Sequence, residues 1–329
     1  MDMLLKTLCD MVSPSGCEEK IMKLISKEAG PYADDMEKDG LGSLIVHKKG
    51  PGKKLALYAH ADEIGFIATY IDDNGFVYFS ALGGISVENI IRRAVIFTNG
   101  VRGVISYPEK IKVADLKIND CYIDIGTLSK EESSRLISIG QCATYEAKLV
   151  KIGQRVVGKA VDNRAGCFVL LEALKQIKHS EYDLYFIFTV QEEVGLRGAK
   201  TATYKVDPDI ALAVDTTGSG DTPDGLKMDV KLSKGPAIKI KDGGVITHPK
   251  VKNWLFASAK KAGIPFQSEV IAEGSTDAGA ASVSRGGVMS GGIAIPARYF
   301  HTAVESADLG DINGAVQLIL SAVGTEMED

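Results

Sequence analysis

Histidine and carboxylate side chains stand at the ends of apolar runs throughout this chain of 329 residues. They are His60, Asp162, the pair Glu192 and Glu193, Asp215 and His301. Short apolar runs predict buried strands, and open α/β sheets bind ligands outside the carboxyl ends of their strands. Imidazole and carboxylate groups are ligands that suit Zn²⁺ or Co²⁺. The sequence therefore predicts a metal site assembled from segments that lie far apart in the chain.

The two adjacent glutamates follow the apolar run 184–190. Neighbouring side chains of an extended chain point to opposite sides, so one carboxylate can bind metal while the other faces a substrate. We predict Glu193 as the metal ligand and Glu192 as the general base. A solvated loop after a strand is the alternative for this pair taken alone.

His60 ends the apolar run 54–60, and Asp62 follows two positions later. In extended chain this spacing places both side chains on one face. A carboxylate commonly fixes the second nitrogen of a metal-bound imidazole, and we predict that role in the active site for Asp62. Taken alone, His60 could also be a histidine of the core.

The remaining candidates come from three further segments. Asp162 stands between an extended segment and a helix start, where it could cap the helix or bridge two cations. Asp215 follows the predicted strand 211–214, and His301 follows the run 293–300 at the exit of another predicted strand. We predict all three as metal ligands.

The charges of these residues match two divalent cations. Asp162, Asp215, Glu193 and one hydroxide would cancel the four positive charges. Two ions about 3.5–4 Å apart lower the pKa of a bridging water and polarise a carbonyl. With Glu192 moving the proton, the predicted chemistry is amide hydrolysis.

The first part of the chain predicts a helix followed by strands. Ser15 and Glu18 have the spacing of a capping box before an apolar helical period, so we predict a helix from about 16 to 29. Strands are predicted at 43–47 and 54–60.

The middle of the chain has a different pattern of residues. Short β-rich runs are separated by turns such as 73–75 and 99–100. We therefore predict an inserted small β-barrel or sandwich at 68–158.

Helices and strands alternate in the last part of the chain. Predicted helices lie near 164–178, 250–262, 277–284 and 311–323, and predicted strands near 184–190, 211–214, 268–272 and 292–295. This alternation is typical of a mostly parallel central sheet flanked by helices. The predicted fold is an α/β domain in two parts, 1–67 and 159–329, interrupted by the β-rich insertion.

Composition excludes several classes of protein. The net charge of −5 and the absence of a basic cluster argue against binding to nucleic acid. The longest apolar run is far shorter than the ~20 residues of a membrane span, and charged residues interrupt the start of the chain. We expect a cytoplasmic protein without a membrane partner, whose five cysteines are reduced core residues.

The motifs that carry the chemistry resemble those of a known family, the TET-type dinuclear metallo-aminopeptidases. These glutamyl/leucyl aminopeptidase-like enzymes belong to the co-catalytic zinc exopeptidases of clan MH. The resemblance covers nearly the whole chain. The matching segments are Pro14-Ser15-Gly16, His60-Ala61-Asp62-Glu63-Ile64-Gly65, Asp162-Asn163-Arg164-Ala165-Gly166, Gln191-Glu192-Glu193-Val194-Gly195, Asp215, Thr276-Asp277-Ala278-Gly279 and residues 296–301.

The resemblance implies an aminopeptidase acting on peptides with two zinc or cobalt ions per subunit. It implies one ion held by His60 and Asp215 and the other by Glu193 and His301. Asp162 would bridge them. It also implies a zinc-exopeptidase-like fold whose insertion is a PDZ-like dimerisation domain, and dimers that assemble into a tetrahedral dodecamer.

One departure and three alternatives accompany this resemblance. Where the family tends to carry a second histidine, this chain has Ala280-Ala281-Ser282, so no histidine there can contact a substrate. Another amide hydrolase on the same metals, such as a deacylase, is the nearest alternative. A non-catalytic, self-assembling scaffold stabilised by metal would need a closed site, whereas Glu192 is left free here. An endoglucanase would leave the histidines unexplained.

Overall fold

The structure of the protein, a computed structural model, describes residues 2–328. The helices of this range are α1 (Met3–Asp10), α2 (Glu19–Ala29), α3 (Val87–Ile90), α4 (Lys130–Leu136), α5 (Val161–Gln176), α6 (Arg197–Val206), α7 (Pro249–Lys261), α8 (Asp277–Ser282) and α9 (Leu309–Val323). Its strands are β1 (Asp35–Lys38), β2 (Leu44–Lys48), β3 (Lys54–His60), β4 (Gly65–Ile71), β5 (Val77–Leu82), β6 (Ala94–Phe97), β7 (Arg102–Ser106), β8 (Tyr122–Asp124), β9 (Cys142–Tyr145), β10 (Val150–Ile152), β11 (Arg155–Gly158), β12 (Asp183–Thr189), β13 (Ile210–Gly218), β14 (Ala237–Lys241), β15 (Gln267–Val270), β16 (Met289–Arg298) and β17 (Glu305–Asp308).

One large sheet organises the α/β part. Its order is β1-β2-β12-β3-β13-β16-β17-β11-β10, with β14 pairing with β16 and β15 pairing with β14. The central strands β12, β3, β13 and β16 are parallel, whereas the outer pairs β1–β2, β10–β11 and β11–β17 are antiparallel. The predicted α/β fold with a parallel centre is confirmed. The carboxyl ends of the central strands therefore meet at one edge.

Strand β3 shows why the sheet is covered on both faces. Its alternate residues Leu55 and Leu57 pack into the cluster that contains α1, α2, α5, α7 and α9. The intervening residues Ala56 and Tyr58 pack with α6 and α8 on the other face. A strand that buries both faces reads as a continuous apolar run, as this one does. Within residues 2–328, no helix combines the length and apolar character needed to cross a membrane.

The insertion forms a closed barrel in the order β4-β5-β8-β7-β6-β9. Phe66 stands edge-on to Phe79 and Tyr145 in its interior, with ring centroids 5.1 and 5.5 Å apart. Closure leaves this small sheet without free edges. The barrel strands run from Gly65 to Tyr145, and β10 and β11 pair within the large sheet instead. Strand β4 thus begins before the predicted limit 68, and β10 and β11 precede the predicted limit 158 although they pair outside the barrel.

The predicted capping box at the start of the first long helix is wrong. Helix α2 begins at Glu19, not near 16, and the Ser15 hydroxyl donates to Asp62 at 2.6 Å. The Glu18 carboxylate accepts from the backbone N–H groups of Gly16 and Gln191 at 2.8 and 3.0 Å. Both side chains therefore bond to residues near the strand ends and to the preceding turn, and neither forms a capping bond with α2.

A buried ion pair fixes the exit of β3 against the barrel. The Lys159 ammonium donates to both oxygens of Glu63, at 2.9 and 2.8 Å, and both side chains are almost fully buried. The Glu63 carboxylate also accepts from the backbone of Ser13 and the hydroxyl of Thr144. Burial lowers the pKa of Lys159, and the Glu63 charge opposes that change. The pair thus joins β3, the barrel strand β9 and the segment before α5.

Replacing Glu63 with alanine should lower the free energy of unfolding by about 3–5 kcal/mol, because it leaves a buried ammonium without a carboxylate. Adding Lys159→Met should restore part of that loss. The control Glu131→Ala removes an exposed ion pair with Arg135 and should cost less than about 1 kcal/mol. Urea unfolding followed by circular dichroism measures all three, and equal losses for the two glutamates would contradict this reading of the pair.

Candidate active site

The predicted site residues meet at the carboxyl edge of the central strands. His60 is the last residue of β3 and pairs with Thr189, the last residue of β12. The glutamate pair follows in the loop between β12 and α6, and His301 lies just beyond β16. Asp215 was expected after the end of its strand, but it lies inside β13, opposite Ala294 of β16. The strand is longer than its apolar run because β16 continues beside it.

One group of donor atoms surrounds His60. The Nε2 atom of His60 lies 3.2 Å from Oδ1 of Asp162 and 3.6 Å from Oδ1 of Asp215. The imidazole is almost fully buried. These side chains offer ligand atoms that all lie within 4.8 Å of one another.

A second group surrounds His301. The Nε2 atom of His301 lies 3.4 Å from Oδ2 of Asp162 and 3.3 Å from Oε2 of Glu193. This group also has its ligand atoms within 4.8 Å of one another. Asp162 therefore directs one carboxylate oxygen to each group.

Asp162 reaches this position because the start of α5 is irregular. Asp162 and Asn163 have non-helical backbone angles, and the helix N-cap is Ala160. The Asn163 amide donates to the carbonyl of Val214 and its oxygen accepts from the N–H of Gly166. The first bond ties α5 to β13, and the second lies within the start of α5. The alternative role of Asp162 as the helix cap is not the one that it adopts.

The electrostatics of the cluster favour added positive charge. Burial lowers the pKa of His60, but the carboxylates of Glu192 and Asp215 outweigh it and raise that pKa well above its ordinary value. Burial opposes protonation of His301 as well, while Asp162 and Glu193 raise its pKa to about 12. Oε1 of Glu193 is buried and has no hydrogen-bond partner within residues 2–328. This donor set fits divalent cations of the zinc or cobalt type.

Asp62 holds the loop that carries both glutamates. Its two oxygens accept from the backbone N–H groups of Glu192 at 3.1 Å and Glu193 at 3.2 Å. Its Oδ1 atom also lies 3.4 Å from Nδ1 of His60. Burial raises the pKa of Glu192 well above the usual range; the charge of His60 opposes this, and Asp215 adds to it.

Glu305 is a site residue that the sequence did not reveal. It is buried at the start of β17, and its two oxygens accept from the backbone N–H groups of Asp162 and His301, each at 2.9 Å. The only signal in the sequence is a carboxylate four residues after a candidate histidine, at the start of a short strand. Glu305 orients two members of the second group together.

A cavity of about 1120 Å³ opens over both groups of donors. Its lining includes the exposed apolar side chains of Leu226 and Phe300. Ala280 and Ala281, where the family histidine was expected, are buried in the cluster of α6 and α8. The nearby Asp277 accepts from Thr189, and burial raises its pKa to about 7.

Known proteins resemble this chain over almost its whole length. The profile of the M42 glutamyl aminopeptidase family matches residues 42–318. A relative from Acetivibrio thermocellus is 48% identical over 321 residues, which are 97% of this chain and 97% of the relative. The structure of aminopeptidase APDkam598 from the archaeon Desulfurococcus kamchatkensis has a TM-score of 0.95 at 36% identity, covering 98% of this chain and 94% of that one.

A further structure, the TET1 peptidase of Pyrococcus horikoshii, can assemble into a tetrahedron or a large octahedral shell. It has a TM-score of 0.89 at 32% identity and covers 98% of both chains. Fold and similarity together define this chain as a peptidase. It belongs to the M42 glutamyl aminopeptidase family. Peptidases of this family are metallopeptidases, and the two donor groups are residues that can bind metal.

Replacing Glu305 with alanine should weaken metal binding about 10–100-fold, because the backbone N–H groups of Asp162 and His301 lose their shared acceptor. Titrating the metal-free protein with Co²⁺ measures this loss. The control Val304→Ala shortens the exposed neighbouring side chain and should leave the affinity unchanged. Equal affinities in both variants would show that Glu305 does not position the ligands.

Proposed function

We propose that this protein removes the N-terminal residue of peptides with two divalent metal ions, zinc or cobalt, in each subunit. The observation that carries the proposal is the place of Asp162, whose two oxygens face His60 on one side and His301 on the other. Asp162 would bridge the ions. His60 and Asp215 would hold one ion, and Glu193 and His301 the other.

Glu192 is the proposed general base. When bound, the divalent cations supply the Lewis acidity that polarises the scissile carbonyl and acidifies the attacking water. The Glu192 carboxylate accepts a proton from that water and delivers it to the nitrogen of the leaving amine. Asp62 fixes the backbone of Glu192 and Glu193 together, so base and ligand keep their relative position.

The cavity supports a peptide as the substrate. Its volume of about 1120 Å³ is larger than the roughly 300–1,000 Å³ that a drug-sized ligand needs. Exposed Leu226 and Phe300 offer apolar surface to substrate side chains near the metal groups. A peptide therefore has room to extend away from the scissile bond.

Replacing Glu192 with glutamine should lower kcat by about 10²–10⁴-fold while metal content stays at the wild-type level, because only proton transfer is lost. Aminoacyl anilides report the rate after the metal-free protein is reloaded with Zn²⁺ or Co²⁺. The control Glu273→Gln removes a carboxylate from the lining of the same cavity and should keep activity of the wild-type order. A Glu192→Gln protein that binds both ions and hydrolyses at the wild-type rate would disprove the mechanism.

A comparison of aminoacyl anilides with N-acylated substrates separates an aminopeptidase from a deacylase. An aminopeptidase cleaves anilides with a free α-amino group and leaves the N-acetylated forms intact. A deacylase, the other amide hydrolase weighed for these metals, prefers N-acylated amino acids. Turnover of the acylated substrates alone would replace the proposed function by the second one.

We also propose that the barrel mediates dimerisation and that dimers assemble into a tetrahedral dodecamer in the cytoplasm. Support comes from the tetrahedral assembly of the Pyrococcus horikoshii peptidase. The barrel region also exposes Tyr70, Leu136 and Ile139, side chains of a kind that interfaces cover. Analytical ultracentrifugation should give the mass of twelve subunits, and a monomer at all concentrations and metal loads would contradict the assembly.

A further inference from the structure

We propose that the barrel completes the second metal-binding group by positioning His301 through the backbone of the loop after β5. This inference rests on the proposed function, because it assigns a task towards the metal bound there. The loop consists of Gly83 and Gly84 and will be called the glycine loop. It belongs to the insertion, whereas His301 and Glu193 belong to the α/β part.

The contact is a short hydrogen bond with a defined direction. Nδ1 of His301 lies 2.6 Å from the carbonyl oxygen of Gly84. A carbonyl oxygen can only accept, so Nδ1 must carry the proton. In the neutral imidazole, the lone pair is then on Nε2, the atom that faces Asp162 and Glu193. The glycine loop thus selects the tautomer and the ring orientation that a metal requires.

Both glycines are needed for this approach. A Cβ atom on Gly84 would lie 3.2 Å from Nδ1 and 3.3 Å from Cε1 of His301. A Cβ atom on Gly83 would lie 3.0 Å from Oε2 of Glu193 and 2.7 Å from Cγ2 of Ile64. The backbone of the loop therefore stands against two ligands of the same group. A side chain at either position would displace one of them.

The backbone of His301 is held from the other side. Its φ angle of 59° lies in the left-handed region, which residues other than glycine seldom adopt. The Glu305 carboxylate accepts its N–H at 2.9 Å. Glu305 thus fixes the main chain of His301 and the glycine loop fixes its ring.

The first group is held by residues of the α/β part. Nδ1 of His60 faces the Asp62 carboxylate, which belongs to the segment directly after β3. His60 is itself the end of a central strand, and Asp215 lies inside another. A change in the glycine loop should therefore affect one of the two ions and spare the other.

Replacing Gly84 with alanine tests this selectivity. Gly84 is exposed and its backbone lies outside the left-handed region, so alanine is compatible with the loop itself. Full-length protein is stripped of metal with a chelator and titrated with Co²⁺, with calorimetry for affinity and visible absorption for coordination. We expect one ion to bind about 10–100-fold more weakly in Gly84→Ala and the other to bind as in the wild type.

The matched control is Ser86→Ala, just beyond the glycine loop, since Ser86 is exposed and its side chain forms no cap bond with α3. It should bind both ions like the wild type. The metal-free forms of wild type, Ser86→Ala and Gly84→Ala should unfold at the same temperature. A lower temperature for Gly84→Ala alone would overturn the proposal, because the loop would then stabilise the fold in general.

His301→Ala provides a second test of the route. If Gly84 acts through His301, adding Gly84→Ala to His301→Ala should change Co²⁺ binding no further. A further loss, or wild-type affinity and absorption in Gly84→Ala itself, would overturn the inference. A wild-type protein that binds fewer than two ions would instead refute the proposed function, whatever Gly84 does.

Discussion

The rest of the structure depends on one constraint: the two oxygens of a single carboxylate, that of Asp162, face two different histidines. Asp162 lies 3.2 Å from His60 and 3.4 Å from His301, and further buried carboxylates surround both rings. Buried negative charges cost free energy unless positive charge or hydrogen-bond donors compensate them. The edge of the parallel sheet meets this demand, because the residues just beyond the strand ends have backbone N–H groups that are free to donate to carboxylates. The fold can therefore concentrate charge at this edge while the strand interiors stay apolar.

Two carboxylates outside the two donor groups accept from such N–H groups in the same way. Asp62 accepts from the N–H groups of Glu192 and Glu193, and Glu305 accepts from those of Asp162 and His301. Each one joins two site residues through main-chain atoms, and a charged acceptor makes such bonds stronger than neutral ones. Irregular segments thereby gain the fixed geometry that metal ligands need. The bond from Glu305 also holds His301 in its left-handed backbone conformation.

Whether the sequence predicts a part of this arrangement depends on whether that part produces a local residue pattern. Buried strands such as β3 and β12 leave apolar runs, and α7 and α9 leave a helical period with recognisable ends, so their positions were predicted within a few residues. Imidazoles and carboxylates at strand ends are also visible. Glu305 and the glycine loop act through backbone atoms of residues distant in sequence, and no local pattern records such contacts. The helix start predicted at Ser15 was wrong for the same reason, because the Ser15 hydroxyl donates to the distant Asp62 instead of capping the helix.

The two donor groups differ in the elements that hold them. The His60 group rests on two central strands and a helix start, elements with buried hydrogen bonds and dense apolar packing. The His301 group rests on loops and on Gly84, which the separate barrel supplies. Loops open at a lower free-energy cost than core strands. Local opening of the site should therefore begin at the second group. Because Glu63 and Lys159 join the exit of β3 to both the barrel and the α5 segment, they limit how far the barrel can shift. The geometry at His301 is therefore set by how the barrel packs against the sheet, and the metal binding that we propose there depends on that packing.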